Sequence, residues 1–297
     1  MTASSPAKPG ILYAILAYAS WGLLPVYWKL FLGVPALEVL SHRIIWSMVF
    51  LLSILAWQHR LPELQPVGRS PQLLKALLLT SALLAVNWGI YIYGVNSDRI
   101  VETSLGYYIN PLVTVLLGMI VFKERLNGQQ WLAVALAFGG VALLVLNLGQ
   151  VPWIALGLAF SFAFYGLVRK LVAIGPLVGL AVETIVLAPI SLLLVGYWQV
   201  SGVGHWGESP LLIAAMIGAG VITSMPLLWF NTATKQLPLS TMGFLQYIAP
   251  SLQLLVGVFL YGEPFTLTHA LTFGCIWAGL ALYSASLRSG IAVSSEE

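Results

Sequence analysis

The chain carries a copy of part of itself. Residues 105–125, LGYYINPLVTVLLGMIVFKER, form an apolar run of membrane length that ends in a charge cluster, and the run recurs 139 residues further on. At that one offset Tyr108 falls on Tyr247, Pro111 on Pro250, Gly118 on Gly257, Glu124 on Glu263 and Gly140 on Gly279, with no gap. In a chain of 297 residues this offset leaves room for two halves of one architecture. The repeated proline has a local consequence. Proline offers no N–H to the carbonyl four residues back, so Pro111 and Pro250 are expected to kink their helices and to free the carbonyls of Tyr107 and Gln246. Two readings stay open: a packing kink, or a broken hydrogen-bond ladder facing a cavity. The second is tolerable at membrane depth only where protein or water satisfies the freed groups.

What the halves are made of follows from their lack of charge. Only 8% of residues are charged and 59% are hydrophobic, where soluble domains carry about 25% charged residues. The chain is expected to be an all-α integral membrane protein. Apolar windows of roughly 20 residues, enough to cross ~30 Å of hydrocarbon, can be laid down ten times. They fall near 10–32, 36–57, 72–96, 102–122, 129–147, 152–172, 178–200, 211–233, 239–261 and 267–288. The first is read as retained rather than cleaved, because its apolar run continues past Ala17-Tyr18-Ala19 to Leu32. With the N-terminus inside, ten basic residues fall inside: Lys8, Arg60, Arg69, Lys75, Lys123, Arg125, Arg169, Lys170, Lys235 and Arg288. Lys29 and Arg99 fall outside, and Arg43 lies within a span. This bias predicts cytoplasmic termini. Five helices per half is an odd number, so the second half is expected to insert upside down, as in the inverted repeats of secondary transporters. The halves are placed at 10–147 and 152–288, with cytoplasmic tails at 1–9 and 289–297.

Ionisable residues inside a span cost typically 2.5–3.5 kcal/mol each on insertion scales, which makes each a functional candidate. The second span holds Glu38, His42 and Arg43. Glu38 and His42 share a helix face. Arg43 lies roughly 10 Å below the outer boundary. It is read either as a structural cation that snorkels or binds Glu38 or carbonyls, or as an anchor for an anionic or carbonyl-bearing solute. Aligning Pro35 with Pro176 places Glu183 at the position of His42. Glu183 is a candidate proton carrier, or a structural partner of Lys170 or Lys235. Asn87, Asn96, Asn110, Asn231, Gln246 and Gln253 form a polar series for which interhelical amide bonds are the plainer use. Gln246 and Tyr108 lie beside the repeat kinks and are the better cavity candidates. Trp21, Trp88, Trp229 and Tyr247 could wall a pocket or simply pack. His205, Glu208, Glu263 and His269 fall in outside loops with no metal-ligand spacing and are read as solvated.

Several function classes fall away. One cysteine, Cys275, permits neither an internal disulfide nor a multi-cysteine metal site. One aspartate, Asp98, permits no aspartyl pair. Neither HExxH nor a P-loop is present. No cofactor, metal, catalytic residue or nucleic-acid partner is expected, so the chain is not read as an enzyme.

Taken in order, WGLLPVYWK (21–29), VPALEVLSHRIIWS (34–47), NWGIYIYGVN (87–96), LGYYINP (105–111), KERL (123–126), VET (182–184) and FLQYIAP (244–250) resemble the RarD proteins. These form part of the EamA branch of the drug/metabolite transporter superfamily, and the resemblance spans about residues 11–287. It implies ten helices in two inverted five-helix halves. It also implies a central cavity lined by helices one to four and six to nine, with five and ten peripheral. RarD-like proteins are commonly labelled chloramphenicol-sensitivity or -resistance permeases. The expectation is a permease of the bacterial inner membrane for small organic solutes, drugs or metabolites such as amino acids. It would work by alternating access within the lipid bilayer, with protons as a candidate coupling ion. A monomer is the default and a homodimer the alternative. A non-transporting protein, such as a lipid scramblase or an assembly partner, is the second reading.

Overall fold

The computed structural model describes residues 7–97, 99–149, 151–262 and 265–293. Glu263, the repeat partner of Glu124, lies outside the described residues, as do Asp98 and most of both tails; the side chains of Lys8, Asn96 and Arg288 are likewise not described.

Long runs of Leu, Ala, Val and Ile with few breakers leave helix as the structure that satisfies every backbone group in lipid. Ten helices are long and apolar enough to cross a membrane. They are α1 Ala7–Trp28, α2 Ala36–Trp57, α3 Pro71–Asn96, α4 Ile100–Val121, α5 Gly128–Leu148, α6 Trp153–Leu171, α7 Pro176–Val200, α8 Pro210–Gln236, α9 Leu239–Leu260 and α10 Leu267–Val293. The spans agree with the sequence-based windows to within three residues at each end. Short connections carry local stop signals. Asn127 accepts from the Gln130 backbone N–H while the Gln130 side chain accepts from the Asn127 N–H, a capping box that opens α5. Gly149, at φ 67°, closes it. Ser209 caps α8, whose first residue is Pro210.

Connections alternate between two faces. One face carries the described residues of 29–35, 97–99, 149–152, 201–209 and 261–266; the other carries 58–70, 122–127, 172–175 and 237–238. The helices pack in a pattern that survives moving every label on by five. The α1–α8 and α1–α9 contacts match α6–α3 and α6–α4; α2–α8 matches α7–α3; α2–α7, α4–α9 and α5–α10 map onto themselves. The Tyr247 hydroxyl donates to the Tyr108 carbonyl at 3.3 Å. The α2–α8 crossing is tight: a Cβ on Gly220 would lie 2.4 Å from the Trp46 carbonyl carbon, and the Ser47 hydroxyl donates to the Gly220 carbonyl at 3.1 Å.

The two repeated prolines behave differently, although both were expected to kink. Pro111 lies inside a continuous α-helix. Side chains brace the turn around it: the Thr114 hydroxyl donates to the Asn110 carbonyl at 3.0 Å, and the Asn110 amide donates to the Ala159 carbonyl on α6. By contrast, α9 is interrupted at Tyr247, between Leu239–Gln246 and Ile248–Leu255, and continues into a π-helical turn at Val256–Leu260.

Candidate functional site

A cavity of about 520 Å³ occupies the half of the bundle nearer the 29–35 face. Its wall comes from α1, α2, α3, α4, α6, α8 and α9. No described residue of α5 or α10 lines it, and these two helices pack on each other. Helix α7 also stays off this wall and borders only a void of about 10 Å³ deeper in.

Arg43 is the charged side chain on the wall, and no carboxylate lines it among the described residues. Its Nε donates to the Thr223 hydroxyl at 3.0 Å. Its guanidinium carbon lies 4.8 Å from the Trp28 ring centroid and 5.4 Å from that of Trp88. The cavity candidates Asn87 and Gln246 also reach the wall, with Trp21, Trp88, Asn110 and Gln253 from the wider set and the helix-kink residue Pro250. The Asn87 amide is held by the Leu158 carbonyl at 3.0 Å and the Ser161 hydroxyl at 2.9 Å. Sequence reasoning missed Trp28, Tyr91, Tyr107 and Thr223. Tyr107 and Tyr108 lie about 100° apart on one helix, and the repeat signal pointed to the wrong one of the pair. Tyr107 lines the cavity, while Tyr108 packs edge-on against Phe273 of α10 at 5.5 Å.

The remaining candidates lie off the wall. Glu38 is paired with the His205 ring at 2.8 Å and accepts from the His205 backbone N–H at 2.7 Å, so it joins the 201–209 connection to α2. This corrects the reading of His205 as solvated: a buried carboxylate at the head of α2 needed a partner, and the loop supplies one. His42 stacks on Trp206 at 5.0 Å, and its Nε2 is buried with no hydrogen-bond partner. Tyr247 is fully buried. Trp229 packs half-buried against the main core cluster, and Pro111 is buried in α4.

Glu183 stands at the centre of a second constellation, in the half nearer the 58–70 face. Its carboxylate lies 3.5 Å from Arg169 Nη1, accepts from the Thr80 hydroxyl at 2.6 Å and from the Tyr165 hydroxyl at 3.2 Å. Asn231 donates to the Tyr165 hydroxyl at 2.9 Å. Both Glu183 and Arg169 have 0% exposure. The partner is therefore Arg169, not Lys170 or Lys235. Those lysines sit at helix ends and donate to carbonyls instead: Lys170 to Thr234 and Leu237, Lys235 to Val172. Gly179 makes the pair possible, because a Cβ there would lie 1.9 Å from Arg169 Nη1. Above the pair, Tyr18, Phe162, Tyr165 and Phe230 pack with Trp21 into an aromatic plug, and Trp21 and Phe162 form the cavity floor.

Two more carboxylates tie helix ends together. Glu124, from the KER stretch, accepts from the backbone N–H groups of Leu239 and Ser240 at 2.8 and 2.9 Å, which anchors the start of α9. Glu102 does the same for Ile154 at 2.9 Å, with Arg99 beside it at 2.5 Å.

Ten helices of membrane-crossing length packed around a cavity place the protein among polytopic membrane proteins. Comparison with known proteins gives the family. The model of the EamA-like transporter family matches residues 8–146. The chain is 44% identical to an uncharacterized transporter, YojE, of Bacillus subtilis (94% of each chain covered). It is 43% identical to Protein RarD of Escherichia coli (93% of this chain, 94% of that one). It is 31% identical to the chloramphenicol-sensitive protein RarD of Pseudomonas aeruginosa (92% of each). A solved structure superposes with a TM-score of 0.76 over 95% of this chain and 99% of its own, at 18% identity, and supports the fold. The chain belongs to the RarD proteins of the EamA-like transporter family, within the drug/metabolite transporter superfamily. It is a multi-pass inner-membrane transporter.

Proposed function

We infer that the protein is a secondary transporter of small organic solutes that works by alternating access, with the 520 Å³ cavity as the solute site. The observation that carries this reading is the asymmetry along the membrane normal. A cavity reaches mid-bundle from one face, and a packed aromatic plug with a buried ion pair closes the way to the other. The basic-residue bias puts the open face outside. Two five-helix repeats, 10–147 and 152–288, inserted in opposite senses, can exchange roles, so that opening the plug closes the cavity. The Glu183–Arg169 pair is then a lock on the closed face rather than a solute ligand. Relatives named as transporters support the class of activity, and one relative's name mentions chloramphenicol.

The test is reconstitution in liposomes with an internal pH-sensitive dye and a panel of labelled amino acids, organic acids, nucleosides and chloramphenicol. Saturable solute flux is the expected result, and proton movement in step with it would add protons as the coupling ion. Lipid flip without flux of any solute would replace this reading with that of a scramblase.

A further inference from the structure

We propose that the cavity selects organic anions with a flat apolar body, and that Arg43 binds the carboxylate. This deepens the transporter reading and rests on it.

The argument starts from charge balance. A guanidinium at this depth is retained only where something offsets its desolvation. Arg169, which is fully buried where Arg43 is half-buried, has its carboxylate. The other buried acids are also engaged: Glu38 with His205, Glu102 with Arg99 and the Ile154 N–H, Glu124 with the Leu239 and Ser240 N–H groups. Among the described residues Arg43 has no ion-pair partner, and its only hydrogen bond leaves through Nε to Thr223. Nη1 and Nη2 make no hydrogen bond among the described residues, and Arg43 lines the cavity. Two adjacent N–H donors on one planar group match a carboxylate in a two-point contact.

The second half of the argument is shape. Trp28 and Trp88 hold the guanidinium by their ring faces, which fixes it and leaves an aromatic surround for whatever the carboxylate carries. Tyr91, Tyr107 and Phe162 extend that surround. Among the described residues the wall supplies amides and hydroxyls but no acid, so a cationic solute meets Arg43 with no counter-charge. A neutral solute leaves the guanidinium unpaired. The best complement is therefore an anion with a flat apolar body.

The purified transporter in nanodiscs is titrated with benzoate, phenylacetate, benzamide and benzylamine, read by tryptophan fluorescence and by calorimetry. The two carboxylates are expected to bind. Benzamide, which has the shape of benzoate without the charge, and benzylamine are expected to bind about tenfold more weakly or not at all. Arg43→Gln should weaken carboxylate binding about tenfold or more, and Arg43→Lys, which keeps the charge and loses the two-point fork, should fall between. Equal binding of benzamide and benzoate, a preference for benzylamine, or an Arg43→Gln protein that folds and binds benzoate normally would each overturn the assignment. Labelled flux in liposomes separates the two readings. Flux of benzylamine or benzamide in preference to benzoate sinks the anion site and leaves the transporter standing. Carboxylate binding that depends on Arg43, without flux, keeps the site and sinks the transporter reading.

Discussion

Two arginines lie deep in this membrane protein, and they are held in opposite ways. Arg43 sits on the wall of the open half, between two tryptophan rings, with one hydroxyl on Nε and no carboxylate. Arg169 sits in the closed half, 3.5 Å from Glu183, in a space that exists because residue 179 has no side chain. Burial strips water wholly from Arg169 and in part from Arg43, and the two halves also differ in what offsets that cost. In the closed half the offset is built into the chain. In the open half no carboxylate among the described residues faces Arg43, and the proposal gives that place to a solute. A residue whose charge is satisfied internally contributes to holding a state, whereas one whose charge awaits a ligand contributes to binding. The comparison therefore assigns Arg169 and Glu183 to stability of the closed face and Arg43 to recognition.

The same substitution made in both places tests this most severely. Arg169→Gln strands a buried carboxylate with only Thr80 and Tyr165 to hold it, a change expected to cost about 3–5 kcal/mol. Thermal unfolding in detergent should show a large loss, partly recovered when Glu183→Gln is added. Arg43→Gln removes ring contacts and one hydrogen bond at a cavity surface, an expected loss of about 1 kcal/mol. Equal losses at the two sites would erase the distinction. Gly179→Ala gives a smaller effect of the same kind. Its Cβ would fall 1.9 Å from Arg169 Nη1, so the guanidinium must move and the pair lengthens. Strain of this sort typically costs about 1–3 kcal/mol. The melting temperature should drop while carboxylate binding at Arg43 is unchanged. A Gly179→Ala protein as stable as the parent would mean that the pair adapts freely and does not lock the face.

The fold was legible because lipid leaves few options. The ten apolar windows needed no knowledge of packing. The site was legible only in part. Arg43 could be picked out because a charge in a span is rare, and Asn87 and Gln246 because polar residues there are few. Tyr107 was lost to Tyr108 because the repeat marks homologous positions, not the face each turns to the cavity. Glu183 was placed in the correct span, but its partner was sought among lysines at the helix ends. Arg169 reaches it by folding back over Gly179, a route that requires knowing which helices touch. His205 was misread because a loop residue carries no periodic pattern, and only the tertiary contact with Glu38 reveals it.

The smallest expected effect separates a lock from a proton carrier. Glu183 faces Arg169 and Tyr165 from α6 and Thr80 from α3, and a void of about 10 Å³ lies between it and Arg43. That volume is close to the minimum for one water molecule, and Glu183 and Arg43 both line it. If it carried the coupling proton, its titration would shape the pH dependence of flux, and Glu183→Gln would flatten that profile. If it is a lock, as its internal counter-charge indicates, the glutamine variant transports at a lower overall rate, because Arg169 has lost its partner, while the shape of the profile stays the same. Flux measured across a pH series and normalised to its maximum isolates shape from rate. An unchanged shape keeps Arg169 and Glu183 together as the fixed half of the comparison. A flattened one moves Glu183 into the transport cycle and makes the void its connection to the site at Arg43.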